Sequence, residues 1–222
     1  LEKLLYYYQK KQYENAKNLS SLLIKDFPNH PFSWKILGAI LAQTGQEKEA
    51  LKIIQKTVEL APQDAKAHNN LGNILKSTGS LLEAEKCYRR AIALEPEFYH
   101  AHNNLGTTLA EMCRLQEAES CYRQAININP NFKEVFYNLG VMLYEAHKYE
   151  SAAEQFKLTD FRDSKSYLLR CLFLLDKKSL FYDQYDYLVG KGEINAIIGS
   201  LGCRSSLKYG IEKRNLFCKY PL

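Results

Sequence analysis

Apolar positions along this chain fall into short helical stripes. Leu71, Ile74 and Leu75 stand at i, i+3 and i+4, and Ala84, Tyr88 and Ala91 follow at i, i+4 and i+7. Two successive amphipathic helices are therefore predicted, each apolar on one side and polar on the other. Gly79 falls where the first should end, a natural C-terminal cap position. Pro96 closes the second, because its ring and its missing N–H stop a helix from continuing. Gly72 sits on the first stripe, at a cost of about 1 kcal/mol of helix propensity relative to Ala. The expected return is close approach of the partner helix, with Ala84 serving the same end from the other side.

This unit recurs. Pro28, Pro62, Pro96 and Pro130 lie 34 residues apart, and Gly38, Gly72, Gly106 and Gly140 keep the same interval. So do Leu37, Leu71, Leu105 and Leu139, then Leu41, Leu75, Leu109 and Leu143, then Ala50, Ala84, Ala118 and Ala152. Several columns in one register mark a stacked helical array in which neighbouring units complete each other's core. The expected segments are an incomplete unit over 1–30, complete units over 31–64, 65–98, 99–132 and 133–166, and capping helices over 167–190. A glycine-containing basic tail or linker is expected over 191–222.

The order Trp34, Leu37, Gly38, Leu41, Ala50, Ile54, Pro62 resembles the tetratricopeptide repeat, and the stretch from Ala67 to Pro96 resembles it more closely. The resemblance implies an all-α fold, a right-handed superhelix of antiparallel helix pairs, and a concave wall of first helices that receives an extended peptide or a partner protein. Asn70, Asn104 and Asn138 precede the Leu-Gly pairs on that wall. They are similar to the asparagine ladder in the tetratricopeptide superhelix of the O-linked N-acetylglucosamine transferase. Asn73, Thr107, Tyr137, Tyr144, Lys35 and Lys66 are neighbouring candidates for the same groove. The carboxylate clamp that other members use on chaperone tails is incomplete here. Lys35 and Asn70 fit it, but Ala39 stands where its first Asn belongs, and His100 and Asn104 replace its basic pair.

Composition and charge narrow the picture from outside. The chain has 222 residues and a formal charge of +5, of which +4 lies in residues 160–222. That tail holds aromatic Tyr209, Phe217 and Tyr220, yet no long basic cluster, so a nucleic-acid partner is not expected. The stretch from Gly192 to Gly210 is similar to linkers before C-terminal 2-oxoglutarate/iron oxygenase-like domains. No histidine follows His147, so an iron site of that type has no ligands here. No apolar run is long enough to span a membrane, and no signal peptide is recognisable, so a cytoplasmic location is expected.

Six cysteines include no C-x-x-C pair, and Cys87 and Cys121 share one repeat position, which reads as packing. Trp34, His68, His102 and Phe136 also share a column, read as packing between helices. No nucleotide-binding, hydrolase or metalloprotease motif is present. The expectation is thus a non-catalytic scaffold with no cofactor and no metal, which binds protein or peptide and possesses repeat edges able to stack into a homo-oligomer. The alternative is the recognition arm of a larger enzyme whose catalytic domain lies elsewhere.

Overall fold

The computed structural model describes residues 1–192. The expectations placed on Tyr209, Phe217, Tyr220, the linker-like stretch after Gly192 and the remainder of the tail lie outside these residues. The chain divides into two compact units, Leu1–Asn129 and Pro130–Leu222. Among the described residues every regular element is a helix, and none is long and apolar enough to cross a membrane.

The first unit holds four helix pairs: α1 (Glu2–Gln9) with α2 (Tyr13–Asp26), α3 (Pro31–Gln43) with α4 (Glu47–Leu60), α5 (Ala65–Ser77) with α6 (Leu81–Leu94), and α7 (Tyr99–Glu111) with α8 (Leu115–Ile128). Each helix packs on the next, and the first helices α1, α3, α5 and α7 also touch in sequence, so they lie side by side. The second unit holds α9 (Lys133–Glu145), α10 (Tyr149–Lys157), α11 (Ser164–Leu174) and α12 (Lys178–Gly190), with α9 also touching α11. Its α10 has 9 residues where α4, α6 and α8 have 14. The chain leaves the helical path after Lys157 because Thr159 donates its hydroxyl to the Lys133 carbonyl at 2.9 Å and accepts from the Phe161 amide at 3.0 Å. Ser164, at the position where the proline column would continue, opens α11 instead.

The glycine column first admits a large side chain of the partner helix, and at Gly106 the carbonyl of Ala118, in the Ala84 column, also approaches to 3.2 Å. A Cβ built on Gly72 would lie 2.6 Å from Tyr88 Cε1, with the two next-nearest atoms on the same ring. At Gly38, Gly106 and Gly140 the obstructing atoms are Ile54 Cγ1 at 2.5 Å, Tyr122 Cε1 at 2.8 Å and Phe156 Cε1 at 2.7 Å. Each glycine is the flat seat of a large side chain sixteen residues on, and Tyr88, Tyr122 and Phe156 are almost wholly buried there. The first pair inverts the arrangement. Leu4 stands in the glycine column and Ser20 in the ring column, and both are fully buried. The bulk has moved from the second helix to the first, which preserves the volume between them.

A second column emerges only in the backbone. Lys11, Gly45, Gly79, Cys113 and His147 all adopt positive φ, between 55° and 83°, at the turn joining the two helices of a pair. Glycine takes this left-handed conformation freely, whereas a side chain there costs roughly 1–2 kcal/mol.

Gly72→Ala gains about 1 kcal/mol of propensity but overpacks the Tyr88 ring by about 1–3 kcal/mol. It therefore lowers stability in the native sequence and raises it in a Tyr88→Ala background, as a double-mutant cycle by denaturant unfolding would read. Cys113 is exposed, so Cys113→Gly is expected to stabilise the chain by about 1 kcal/mol through relief of the strained turn, seen as a higher denaturation midpoint.

Candidate functional site

Side-by-side first helices bring the polar positions of the first unit into one row. At its start Lys35 on α3 forms an ion pair with Asp64. Asp64 also caps α5, accepting from the amides of Lys66 at 2.9 Å and Ala67 at 3.1 Å. Burial opposes ionisation of Asp64, but the Lys35 ammonium and the two amides outweigh it and hold the carboxyl below its ordinary range. The candidate Lys35 is thus already engaged in joining one helix pair to the next, while Lys66 remains exposed.

The centre of the row is a network of amides on α5 and α7. Asn104 donates to Asn69 Oδ1 and Asn73 Oδ1, both at 3.0 Å, so both amide hydrogens are committed. Asn103, 2% exposed, donates to Asn104 Oδ1 at 3.5 Å. Tyr88 donates its hydroxyl to Asn73 Oδ1 at 2.8 Å, and burial pushes that phenol above its ordinary range. Two donors on one oxygen fix the Asn73 side chain and turn its NH2 to the exposed surface, where it makes no hydrogen bond among the described residues. Asn70 is half-buried, and its amide likewise makes none there.

The next pair repeats the device, with Tyr122 donating to Thr107 Oγ1 at 3.3 Å and Thr107 donating to the Asn103 carbonyl at 3.0 Å. The corresponding positions elsewhere are Leu5 with Ser20, Ala39 with Ile54 and Val141 with Phe156; of these only Ser20 carries a hydroxyl, and it makes no hydrogen bond among the described residues. Among the described residues the hydroxyl-anchored polar pair therefore occurs in α5–α8. Asn69, Asn103 and the two tyrosine hydroxyls were not among the sequence candidates. The signal for them was a Tyr fifteen residues after an Asn or Thr in two consecutive repeats.

In the second unit Asn138 is half-buried on α9 and engaged within the chain. Tyr137 donates to Asp163 Oδ1 at 2.7 Å. Burial and this hydrogen bond push the Tyr137 phenol up to about 12. Its ring meets Phe161 and Tyr167 edge-on at 5.7 and 6.1 Å. Tyr144 packs against Tyr149 at 5.5 Å and Tyr167 at 5.2 Å.

The column of Trp34, His68 and His102 does more than pack. Trp34 Nε1 donates to the Pro28 carbonyl at 2.8 Å, and the Nε2 of His68 and His102 reaches the Pro62 and Pro96 carbonyls at 3.0 and 2.9 Å. A carbonyl only accepts, so each imidazole carries its proton on Nε2. These rings staple the proline corner to the following helix, and Phe136, which has no donor, is buried instead. His100 lies 4.2 Å from the Tyr99 ring, centroid to centroid.

Cys87 and Cys121 are half-buried, and desolvation pushes both thiols up, away from the reactive thiolate form. On the same side Glu85 accepts from Arg89 at 2.9 Å and Arg114 at 2.6 Å, and Arg114 grips Glu117 with two bonds of 2.7 Å. This charge network ties α6 to α8. Among the described residues no three His, Cys, Asp or Glu side chains gather as a metal site would require.

Because the folded-state pKa of Asp64 is depressed, its ion pair contributes stability above the ordinary carboxylate range, and that contribution is lost as pH falls through the folded value. Lys35→Met is expected to move the Asp64 titration upward and to flatten the acid limb of the stability profile, as carboxyl NMR and acid unfolding would register.

Tetratricopeptide-repeat family models match residues 63–131 and 121–154. No curated protein matches the chain. Among solved structures, pilF of Pseudomonas aeruginosa is 18% identical with a TM-score of 0.76, covering 91% of this chain and 95% of its own. PilW, described as a widely conserved type IV pilus biogenesis factor, is 18% identical with a TM-score of 0.80 over 90% of this chain and 95% of its own. YrrB, described as a TPR protein with an unusual peptide-binding site, is 17% identical with a TM-score of 0.61 over 81% of this chain and 95% of its own. At these identities the likeness shows the fold, an all-α tetratricopeptide-repeat architecture.

Proposed function

We propose that this chain, which carries tetratricopeptide repeats, is an interaction module that holds an extended segment of a partner protein against the first helices of its central pairs. The observation that carries this reading is the fixed and uncommitted NH2 of Asn73. Its oxygen is saturated by Tyr88 and Asn104, so the nitrogen is preorganised to donate to a backbone carbonyl with little loss of side-chain freedom. Asn70 and Lys66 flank it on α5, adding a second amide and a mobile positive charge. Asn104 and Thr107 support the site from α7 rather than leading it, because their donors are spent inside the chain. Lys35 supports it through the cap of α5.

Asn138, Tyr137 and Tyr144 belong to the corresponding helix of the second unit, and the ladder expected from sequence would use Asn138 as its next rung. Recognition of backbone through amides is independent of side-chain sequence. Specificity then rests on variable neighbours, as repeat scaffolds allow. No chemistry is assigned to the site. The description of YrrB as a peptide-binding TPR protein supports the same reading by analogy of fold.

The test is a random-peptide display selection on the full chain, followed by affinity measurement with the selected peptides. Asn73→Ala and Asn70→Ala are each expected to weaken binding by about tenfold, in line with about 1–1.5 kcal/mol for a neutral hydrogen bond. Unchanged affinity in the Asn70→Ala/Asn73→Ala double variant, with an unchanged melting curve, rejects the site.

A further inference from the structure

We infer that the second unit has its own recognition surface, a shelf of aromatic rings armed with Arg162 and Arg170, and that its ligand is an acidic extended peptide bearing a proline or aromatic residue beside its carboxylates. This inference rests on the peptide-binding reading above and names the partner chemistry at a different place.

Five half-buried rings form the shelf: Tyr137 and Tyr144 from α9, Tyr149 at the start of α10, Phe161 from the turn and Tyr167 from α11. Tyr167 meets Tyr137 at 78° and Tyr144 at 80°, with centroids 6.1 and 5.2 Å apart. Phe156 stacks beneath Tyr167 at 5.1 Å and fixes it from the core. Each of the five rings keeps part of its surface exposed, an apolar face on which a proline or aromatic side chain of an extended peptide can pack.

The guanidinium of Arg162 lies 5.7 Å from the Tyr137 centroid and 5.2 Å from that of Phe161, and Arg170 lies 5.5 Å from Tyr167. Among the described residues neither arginine makes an ion pair or a hydrogen bond. The carboxylates near them are otherwise engaged, Asp160 by Lys133 at 2.8 Å and Asp163 by the Tyr137 hydroxyl at 2.7 Å. Stacking thus orients two guanidinium forks while leaving their N–H donors open, an arrangement suited to carboxylates.

The backbone gives an independent sign. Arg162 has φ of 50° and stands outside the turn column that accounts for Lys11, Cys113 and His147. A left-handed non-glycine residue is strained, and such strain gathers where a side chain must be held in a set place. Here the strained residue is the one that carries a guanidinium over two rings.

A single-stranded nucleic acid would also use rings and arginines, but it needs a continuous basic track. Here two separate guanidiniums stand beside Asp160 and Asp163, which interrupts any basic track and leaves two isolated forks, each suited to a single carboxylate.

The experiment uses the full chain and a labelled synthetic peptide of repeated Glu-Pro-Tyr, read by fluorescence anisotropy beside its Gln-Pro-Tyr counterpart and an oligothymidylate. The Glu peptide is expected to bind, the Gln peptide to bind about tenfold more weakly or worse, and Arg162→Gln and Arg170→Gln each to weaken the Glu peptide by about tenfold, as loss of one charge-assisted contact predicts. Arg162→Gly is expected to lose the same affinity while melting no lower than the native chain, since glycine relieves the turn. Equal binding of the Glu and Gln peptides, full affinity in the double arginine variant, or arginine-dependent preference for the oligothymidylate would each overturn the inference. If display-selected peptides respond to Asn73→Ala and not to the arginine variants, this inference falls while the peptide-binding reading stands. If no peptide binds the chain at all, both fall.

Discussion

The contact on which the rest depends is a ring laid on a glycine. In the second complete pair Tyr88 occupies the space that a Cβ on Gly72 would fill, which brings α5 and α6 together over a flat, fully buried aromatic face. The ring's position also sets the length of its reach. Its hydroxyl emerges at Asn73, one residue beyond the glycine, and pins that amide. Packing and amide orientation are therefore one interaction: the glycine admits the ring, and the ring orients the Asn73 side chain. Where the side chain on the glycine is Ile54 or Phe156, the pair still packs, but no hydroxyl is there to reach across and orient a neighbour.

Within each unit successive pairs are joined by polar contacts that differ from one junction to the next. Lys35 to Asp64 joins the first complete pair to the second, while amides and the Glu85–Arg114 network join the second to the third. In the second unit Tyr137 reaches Asp163, again an aspartate at the start of a helix. The cost of leaving a buried donor or acceptor unmatched makes such contacts obligatory once polar residues enter the seam. The same residues that look available on a helical wheel are thereby consumed, which separates Asn73 and Asn70 from Asn104, Lys35 and Tyr137.

Much of the architecture was legible in the sequence because a 34-residue interval in Pro, Gly, Leu and Ala repeats a volume pattern, and volume patterns dictate helix packing. The left-handed turns were half legible: Gly79 announced its own, but Cys113 and His147 occupy the same conformation without the residue type that signals it. The exchange of Leu4 and Ser20 was hidden for a related reason, since the pattern conserves the sum of two side chains and the sequence presents them sixteen positions apart. The site was less legible than the fold. An asparagine's exposure follows from helix phase, but which of its amide atoms are already engaged depends on partners 15 to 35 residues away. The histidine column shows the same limit, because its partner is a carbonyl and carbonyls carry no sequence signature.

The central claim is that the ring on the glycine presents a preorganised Asn73 donor to a bound peptide. Side-chain amide NMR tests it most directly. With a display-selected peptide titrated into the full chain, the Asn73 NH2 resonances are predicted to shift progressively and to lose that response in Tyr88→Phe, which keeps the ring and removes the hydroxyl. If the peptide binds and the Asn73 amide signals stay where they were, or if Tyr88→Phe responds as the native chain does, the account is contradicted.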